Sequence, residues 1–186
     1  DALMEPEEVA AAFDHLEQAG KVRHFGVSNQ NPMMMELLKT AVKQPLKVNQ
    51  LQLSAAFTPS FEAGFHVNME GPKAAVRDGS VFEYCRLTDT VIQAWSVLQH
   101  GYFKGNFVGK EEFAALNHVL NDLAKKYQVT PTAIALAWVL RYPGKMQAVI
   151  GTTKPQHVLE AGKAATVTLT RKEWYQVYLA AGNDLP

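Results

Sequence analysis

Gly151-Thr152-Thr153 closes the short apolar run AVI and stands just ahead of Lys154-Pro155. Proline suits the first helical position, where no N–H is needed, so a helix is expected to open there. A helix start offers unpartnered backbone N–H groups and the positive end of the macrodipole. A glycine that lets the backbone come close, with two hydroxyls beside it, makes this a place for a phosphate or another anion. The same residues also suit a plain strand–turn–helix junction with a threonine N-cap. Three further stretches put polar or aromatic groups where core residues would be routine. Ser28-Asn29 ends KVRHFGVSN, Asn49-Gln50 interrupts LKVNQLQLS, and Trp95-Ser96 lies in TVIQAWSVL. Ser28-Asn29 could cap the next helix, Asn49-Gln50 could satisfy neighbouring backbone, and Trp95 could be core. As a set they suit one ligand. Amide side chains pair with a carboxamide, a tryptophan face stacks on a flat ring, and the helix start takes a phosphate. Carboxamide, flat ring and phosphate together describe a nicotinamide dinucleotide, although no G-x-G-x-x-G follows any expected strand.

These groups need elements to hold them. Residues 5–19 read as an amphipathic helix, with Val9, Ala12, Phe13 and Leu16 on one stripe, Pro6 in the first turn and Gly20 as the stop. A strand is expected over 21–29, a helix over 32–42, and a second strand over 46–54. Residues 55–78 are too long for a routine connection and carry three phenylalanines, which fits an ordered functional loop. A short helix over 80–88 and a third strand over 90–98 follow. Phe113, Leu116, Leu120, Leu123 and Tyr127 then stripe a helix within 110–128. Thr130-Pro131 opens a nearly all-apolar helix, MQAVI reads as a fourth strand, and two short helices finish the chain. The last has a capping box, Thr170 with Glu173, and a stripe at Trp174, Val177, Tyr178 and Ala181. Strands alternating with helices imply a parallel sheet, whose ligands bind at the carboxyl ends of the strands. Four such units fit a small doubly wound sheet or part of a (β/α)8 barrel, which typically takes about 250 residues.

With 186 residues the chain suits a single domain, and its zero formal charge gives no reason to expect nucleic acid or an anionic membrane as partner. Cys85 is the only cysteine, so no internal disulfide can form, and it reads as a small buried hydrophobe. The longest apolar run, AIALAWVL, is well short of the roughly 20 residues of a membrane span. No secretion signal opens the chain, and a cytoplasmic protein is expected. The chain starts without methionine and runs directly into a helix, as if it begins inside something larger.

GKVRHFGVSN, VNQLQLS, AWSVLQHG and VIGTTKPQHVLEA, in that order and spacing, resemble the second half of an aldo-keto reductase. LMEPEEVAAAFDHLEQAGKVRHFGVSN and FTPSFEAGFHVNM resemble the bacterial general aldo/keto oxidoreductases. The resemblance implies an α/β fold, the C-terminal half (about strands 5 to 8) of a (β/α)8 TIM barrel. It implies NADPH as cofactor, with NADH as the alternative, and reduction of aldehydes and ketones to alcohols. Ser28, Asn29 and Gln50 match the positions that hold the nicotinamide carboxamide, and Trp95 matches the aromatic that stacks on the nicotinamide. Ser96, Val97 and Leu98 match the segment along the pyrophosphate. Gly151 and Thr152, with Thr153 beside them, match the adenosine phosphate loop, and Glu160 matches an acid near the adenine. His157 stands where many members have an arginine on the 2′-phosphate, and Ala161 where an asparagine is frequent. The family's catalytic Asp, Tyr, Lys and His all precede the position of Asp1, so no catalytic residue is expected in this chain and the segment alone is expected to be inactive. His24 reads as structural, His100 and Tyr102 as edging the substrate mouth, and residues 57–69 as facing a small carbonyl substrate. An open half barrel is also expected to associate through its exposed strand edges. The competing reading is a non-catalytic protein on the same scaffold that senses nicotinamide nucleotide.

Overall fold

A computed structural model describes residues 4–60, 62, 80–101 and 104–183. Most of the expected long loop, and Tyr102, lie outside the described residues. The first helix, α1 (Pro6–Gln18), has proline in its first turn, and Gly20, at φ +67°, turns the chain out of it. Strand β1 (Phe25–Ser28) follows, then α2 (Pro32–Lys39), whose N-cap Asn31 accepts from the Met34 N–H at 2.9 Å. Next come β2 (Leu46–Gln52), α3 (Val81–Leu87) and β3 (Val91–Trp95). A 3-10 turn (Glu111–Phe113) leads into α4 (Ala114–Tyr127), then α5 (Pro131–Leu140) and β4 (Met146–Ala148). Helix α6 (Pro155–Gly162), a second 3-10 turn (Lys163–Thr166) and α7 (Arg171–Ala180) complete the described chain.

The four strands form one parallel sheet in the order β1-β2-β3-β4. All four strands are shorter than their sequence patterns suggest, because pairing decides length. β2 begins at Leu46, opposite Phe25, so residues 21–24 have nothing to pair with. β3 ends at Trp95 and Ser96 turns away at φ +53°, so β4 stops at Ala148 although the Val149 N–H still reaches the Ala94 carbonyl at 2.8 Å. In β1 the glycine is required: a Cβ on Gly26 would lie 2.6 Å from the Val48 carbonyl oxygen.

Helices cover one face of the sheet. Leu51, Leu53, Ile92 and Ala94 point into that layer and join α4, α5 and α7 in the main core. Helix α5 is buried from Ala133 to Val139, as expected of a helix that is apolar all round. Trp138 and Trp174 lock α5 to α7: their rings stack at 4.8 Å and each indole N–H donates to the other's carbonyl, at 3.0 and 3.1 Å. The capping box forms as expected, with the Glu173 N–H donating to the Thr170 hydroxyl at 3.2 Å and the Thr170 N–H to the Glu173 carboxylate at 2.7 Å. A smaller cluster of Met35, Leu38, Val42 and Leu46 joins α2 to β2, with Phe13 of α1 packed against it.

Registration makes the opposite face polar. Ser28 pairs with Gln50, Gln50 with Gln93, and Gln93 with Gln147, so all four project to one side. Gln52 and Trp95, two positions further along, share that side.

Candidate functional site

A cleft of about 510 Å³ opens where the carboxyl ends of β3 and β4 meet the start of α6. It is lined by Trp95, Ser96, Val97, Leu98, Gly151, Thr152, His157 and Glu160, together with Gln99, Asn106 and Thr132 among others. The structure therefore brings residues some sixty positions apart in the chain into one concave site. Trp95 is the last residue of β3 and reaches the cleft from the polar face. Val97 lines the wall but is only 2% exposed and belongs to the main core, so it offers shape rather than a polar contact.

Ser96 and Asn29 both adopt left-handed backbone, at φ +53° and +52°, immediately after strand ends. That region costs a non-glycine residue about 1–2 kcal/mol, and such outliers concentrate at binding sites. The chain after Ser96 folds back on itself. Phe107 N–H donates to the Leu98 carbonyl at 3.1 Å and His100 N–H to the Gly105 carbonyl at 3.2 Å.

On the opposite side of the cleft, a Cβ added to Gly151 would meet nothing within 4 Å, and Gly151 has no positive φ. Neither packing nor backbone conformation requires a glycine there, and its absent side chain leaves the backbone approachable. The threonine N-cap is not what forms. Helix α6 is capped by Lys154 with no side-chain cap bond, and its first turn holds no acidic residue. Thr152 instead accepts from the Lys154 N–H at 3.2 Å and lies 3.3 Å from Nδ1 of His157. Thr153 is exposed and does not line the cleft. Glu160 lines it while accepting from the Gln156 amide at 3.1 Å.

Ser28 and Gln50 are not in this cleft. They line a shallower depression of about 390 Å³ on the polar face of β1–β3, beside Gln93. Ser28 Oγ donates to the Gln50 carbonyl at 3.1 Å, and the Asn29 N–H reaches the same oxygen at 2.9 Å. Asn29 lines neither depression. Gln93, which lines this depression, and Trp95, which lines the cleft, stand two residues apart on β3. Asn49 faces the helices instead, fully buried, and donates to the Gln30 carbonyl at 2.8 Å. It serves backbone satisfaction, as its structural reading allowed.

Two residues that motif reasoning passed over are Gln93 and Gln147. Gln50 Nε2 donates to Gln93 Oε1 at 3.2 Å, and Gln93 Nε2 to Gln147 Oε1 at 2.9 Å. Gln50 is the donor at the start of this chain of amides and Gln147 the acceptor at its end. The signal was the period-two alternation of VIQAW and MQA. Cys85 is fully buried, and burial pushes its thiol up despite the opposing influence of Asn49 and Lys39, so it is an inert core residue. Among the described residues, no group of His, Cys, Asp and Glu is arranged to hold a metal, and no helix is long and apolar enough to cross a membrane.

A model of the Aldo/keto reductase family matches residues 1–178. The chain belongs to that family. It is 33% identical over 188 residues to Oxidoreductase YdhF of Escherichia coli, covering 100% of this chain and 56% of the relative. It is also 33% identical over 187 residues to a 6-dehydroglucose reductase of Agrobacterium fabrum, with the same coverage of 100% and 56%. The chain thus spans about half the length of the curated relatives it matches. In three dimensions it is similar to an aldo-keto reductase from Klebsiella pneumoniae solved in complex with NADPH. That match has a TM-score of 0.70 at 22% identity and covers 94% of this chain and 53% of that one. At this identity the likeness speaks for the fold, an α/β architecture with a parallel sheet.

Proposed function

We propose that this chain is the nucleotide-cradling, C-terminal half of a (β/α)8 aldo-keto reductase that uses NADPH or NADH to reduce a small carbonyl compound. The observation that carries the reading is the single cleft that joins Trp95, the left-handed turn at Ser96 and the approachable Gly151-Thr152 start of α6. A helix start without a side-chain cap or an acidic first turn favours an anion. The Trp95 ring offers a face for the nicotinamide, and Gln50 and Ser28 offer amide and hydroxyl groups for its carboxamide. Ser96, Val97 and Leu98 line the path of the diphosphate, while Thr152, His157 and Glu160 surround the adenosine end.

When bound, the nicotinamide supplies the hydride. Trp95 would hold that ring, Gln50 and Ser28 would bind its carboxamide, and the start of α6 would anchor the phosphate end electrostatically. Proton delivery belongs to residues outside this chain, so the 186-residue segment by itself binds nucleotide without turning over a carbonyl.

Titration with NADPH and NADH, read as quenching of tryptophan fluorescence, tests the reading. Saturable quenching that weakens several-fold to about tenfold in Trp95→Ala is the expected result. No saturable response to either nucleotide by the full-length protein overturns it. Binding by the full-length protein with no reduction of any aldehyde or ketone favours a nucleotide sensor over an enzyme.

A further inference from the structure

Gln50 of β2, Gln93 of β3 and Gln147 of β4 stand in register on the polar face of the sheet. A long amide side chain gives up much of its rotamer freedom when it is held, so it stays in one place only where partners compensate. These three hold one another across strands roughly 5 Å apart. Gln50 Nε2 donates to Gln93 Oε1 at 3.2 Å, and Gln93 Nε2 to Gln147 Oε1 at 2.9 Å. Gln93, in the middle, is bonded on both sides. Its sequence neighbours Ile92 and Ala94 are buried on the helix side, so strand alternation keeps Gln93 on the polar face.

Gln93 is tied to the candidate site in two ways. It lines the depression that Gln50 and Ser28 line, and it precedes Trp95 by two residues on the same strand and the same face. Strand β3 therefore carries both the ring that lines the cleft and the amide that holds Gln50. The main chain of Gln50 is fixed separately: its carbonyl accepts from the Ser28 hydroxyl at 3.1 Å and the Asn29 N–H at 2.9 Å. Backbone and side chain thus have different holders. The end of β1 keeps the main chain of Gln50 in place, and Gln93 keeps its amide.

We propose that Gln93 is a positioning residue that fixes the amide of Gln50 for the carboxamide of a bound nicotinamide nucleotide. The ladder stands on strand register and hydrogen bonds, while the ligand it serves rests on the nucleotide reading above. Preorganisation is the physical gain. An amide already held by a strand neighbour gives up little freedom when the ligand arrives. With its Nε2 engaged, it meets the ligand as an acceptor, the match for a carboxamide NH2. Without Gln93 the Gln50 side chain samples other rotamers, and the nicotinamide end of the ligand is held more weakly. The phosphate end, at the start of α6, is untouched.

Equilibrium binding to the full-length protein tests this, with NADPH and with adenosine 2′,5′-bisphosphate, which lacks the nicotinamide. The variants are Gln93→Leu, Gln93→Met, Gln93→Glu, Gln50→Ala and the double variant Gln50→Ala with Gln93→Leu. Methionine keeps the length of the side chain without the amide, so that variant carries the test if the leucine variant does not fold. In both, NADPH is expected to bind about fivefold more weakly, with adenosine 2′,5′-bisphosphate unchanged. Gln93→Glu keeps an acceptor for Gln50 Nε2, and the exposed Gln147 can turn its amide over to donate to it. That variant is expected to stay within about twofold of the wild type. Gln50→Ala is expected to weaken NADPH at least as much as Gln93→Leu, and adding Gln93→Leu to it to cost nothing further. Unchanged or tighter NADPH binding in a folded Gln93→Leu or Gln93→Met overturns the proposal. An equal loss for both ligands, or a full further loss on top of Gln50→Ala, also overturns it, since either marks damage to the sheet rather than to the amide. A wild type that does not bind NADPH sinks the nucleotide reading and this role together, whereas NADPH binding indifferent to Gln93 sinks this role alone.

Discussion

We propose that His157 is the residue at which this chain's cofactor preference turns. Its imidazole lies 3.3 Å from the Thr152 hydroxyl at the mouth of the cleft, where an arginine would present a planar fork to a phosphate. Replacing His157 with Arg is expected to tighten NADPH about tenfold relative to NADH; equal affinity for the two nucleotides in the variant would place the 2′-phosphate elsewhere. Gly26 is the residue at which the sheet tolerates least. With a Cβ at 2.6 Å from the Val48 carbonyl, Gly26→Ala must push β1 from β2, at a cost of about 1–3 kcal/mol, readable in a urea melt. The close approach of β1 to β2 was not legible in FGVS, which holds only one of the two partners. Its reason lies twenty-two positions away.

At the scale of elements, α7 is held through Glu173. Burial works to raise this carboxyl. Hydrogen bonds from Lys126, the Thr170 backbone, the Thr170 hydroxyl and Tyr127 outweigh it and hold the group down at about 2, against an ordinary 4.5. A carboxyl depressed by folding stabilises the fold above its unfolded value and loses that contribution as pH falls through the folded one. Acid should therefore destabilise the wild type progressively from about pH 4.5 downward, and the slope should be shallower in Glu173→Gln; identical slopes would show that the network does not couple to folding. Thr170→Ala removes the cap on the Glu173 N–H and is expected to cost about 1 kcal/mol in thermal or urea unfolding. Both capping partners were visible as a four-residue pattern. Lys126 and Tyr127 were not, because they come from α4 and meet Glu173 only after α4 and α7 pack.

On the scale of the whole molecule, β1 and β4 each pair on one side only among the described residues, and the polar face of the sheet bears Ser28, Gln50, Gln93 and Gln147. Unpaired strand edges are templates for association. We propose that the 186-residue polypeptide produced alone associates through these edges. Size exclusion at increasing concentration is the check, and a monomer that stays monomeric throughout would count against a half barrel. The order of elements could be read from alternating periodicity, since a strand buried on its helix side and a helix with one apolar stripe each impose their own repeat on the chain. The positions of strand-end polar groups were legible for the same reason: they interrupt that repeat. Which of them share a site was a matter of packing. Trp95 and Gly151 converge because β3 and β4 are neighbours and both point their carboxyl ends to one rim, whereas Ser28 and Gln50 fall one hollow away and Asn49 turns to the helices. Local patterning thus determined the alternation and the capping box at Thr170 and Glu173, and the resemblance of four ordered motifs pointed to the family. The cleft and the glutamine chain were decided by tertiary structure, because both depend on strand register and on contacts between residues distant in the sequence.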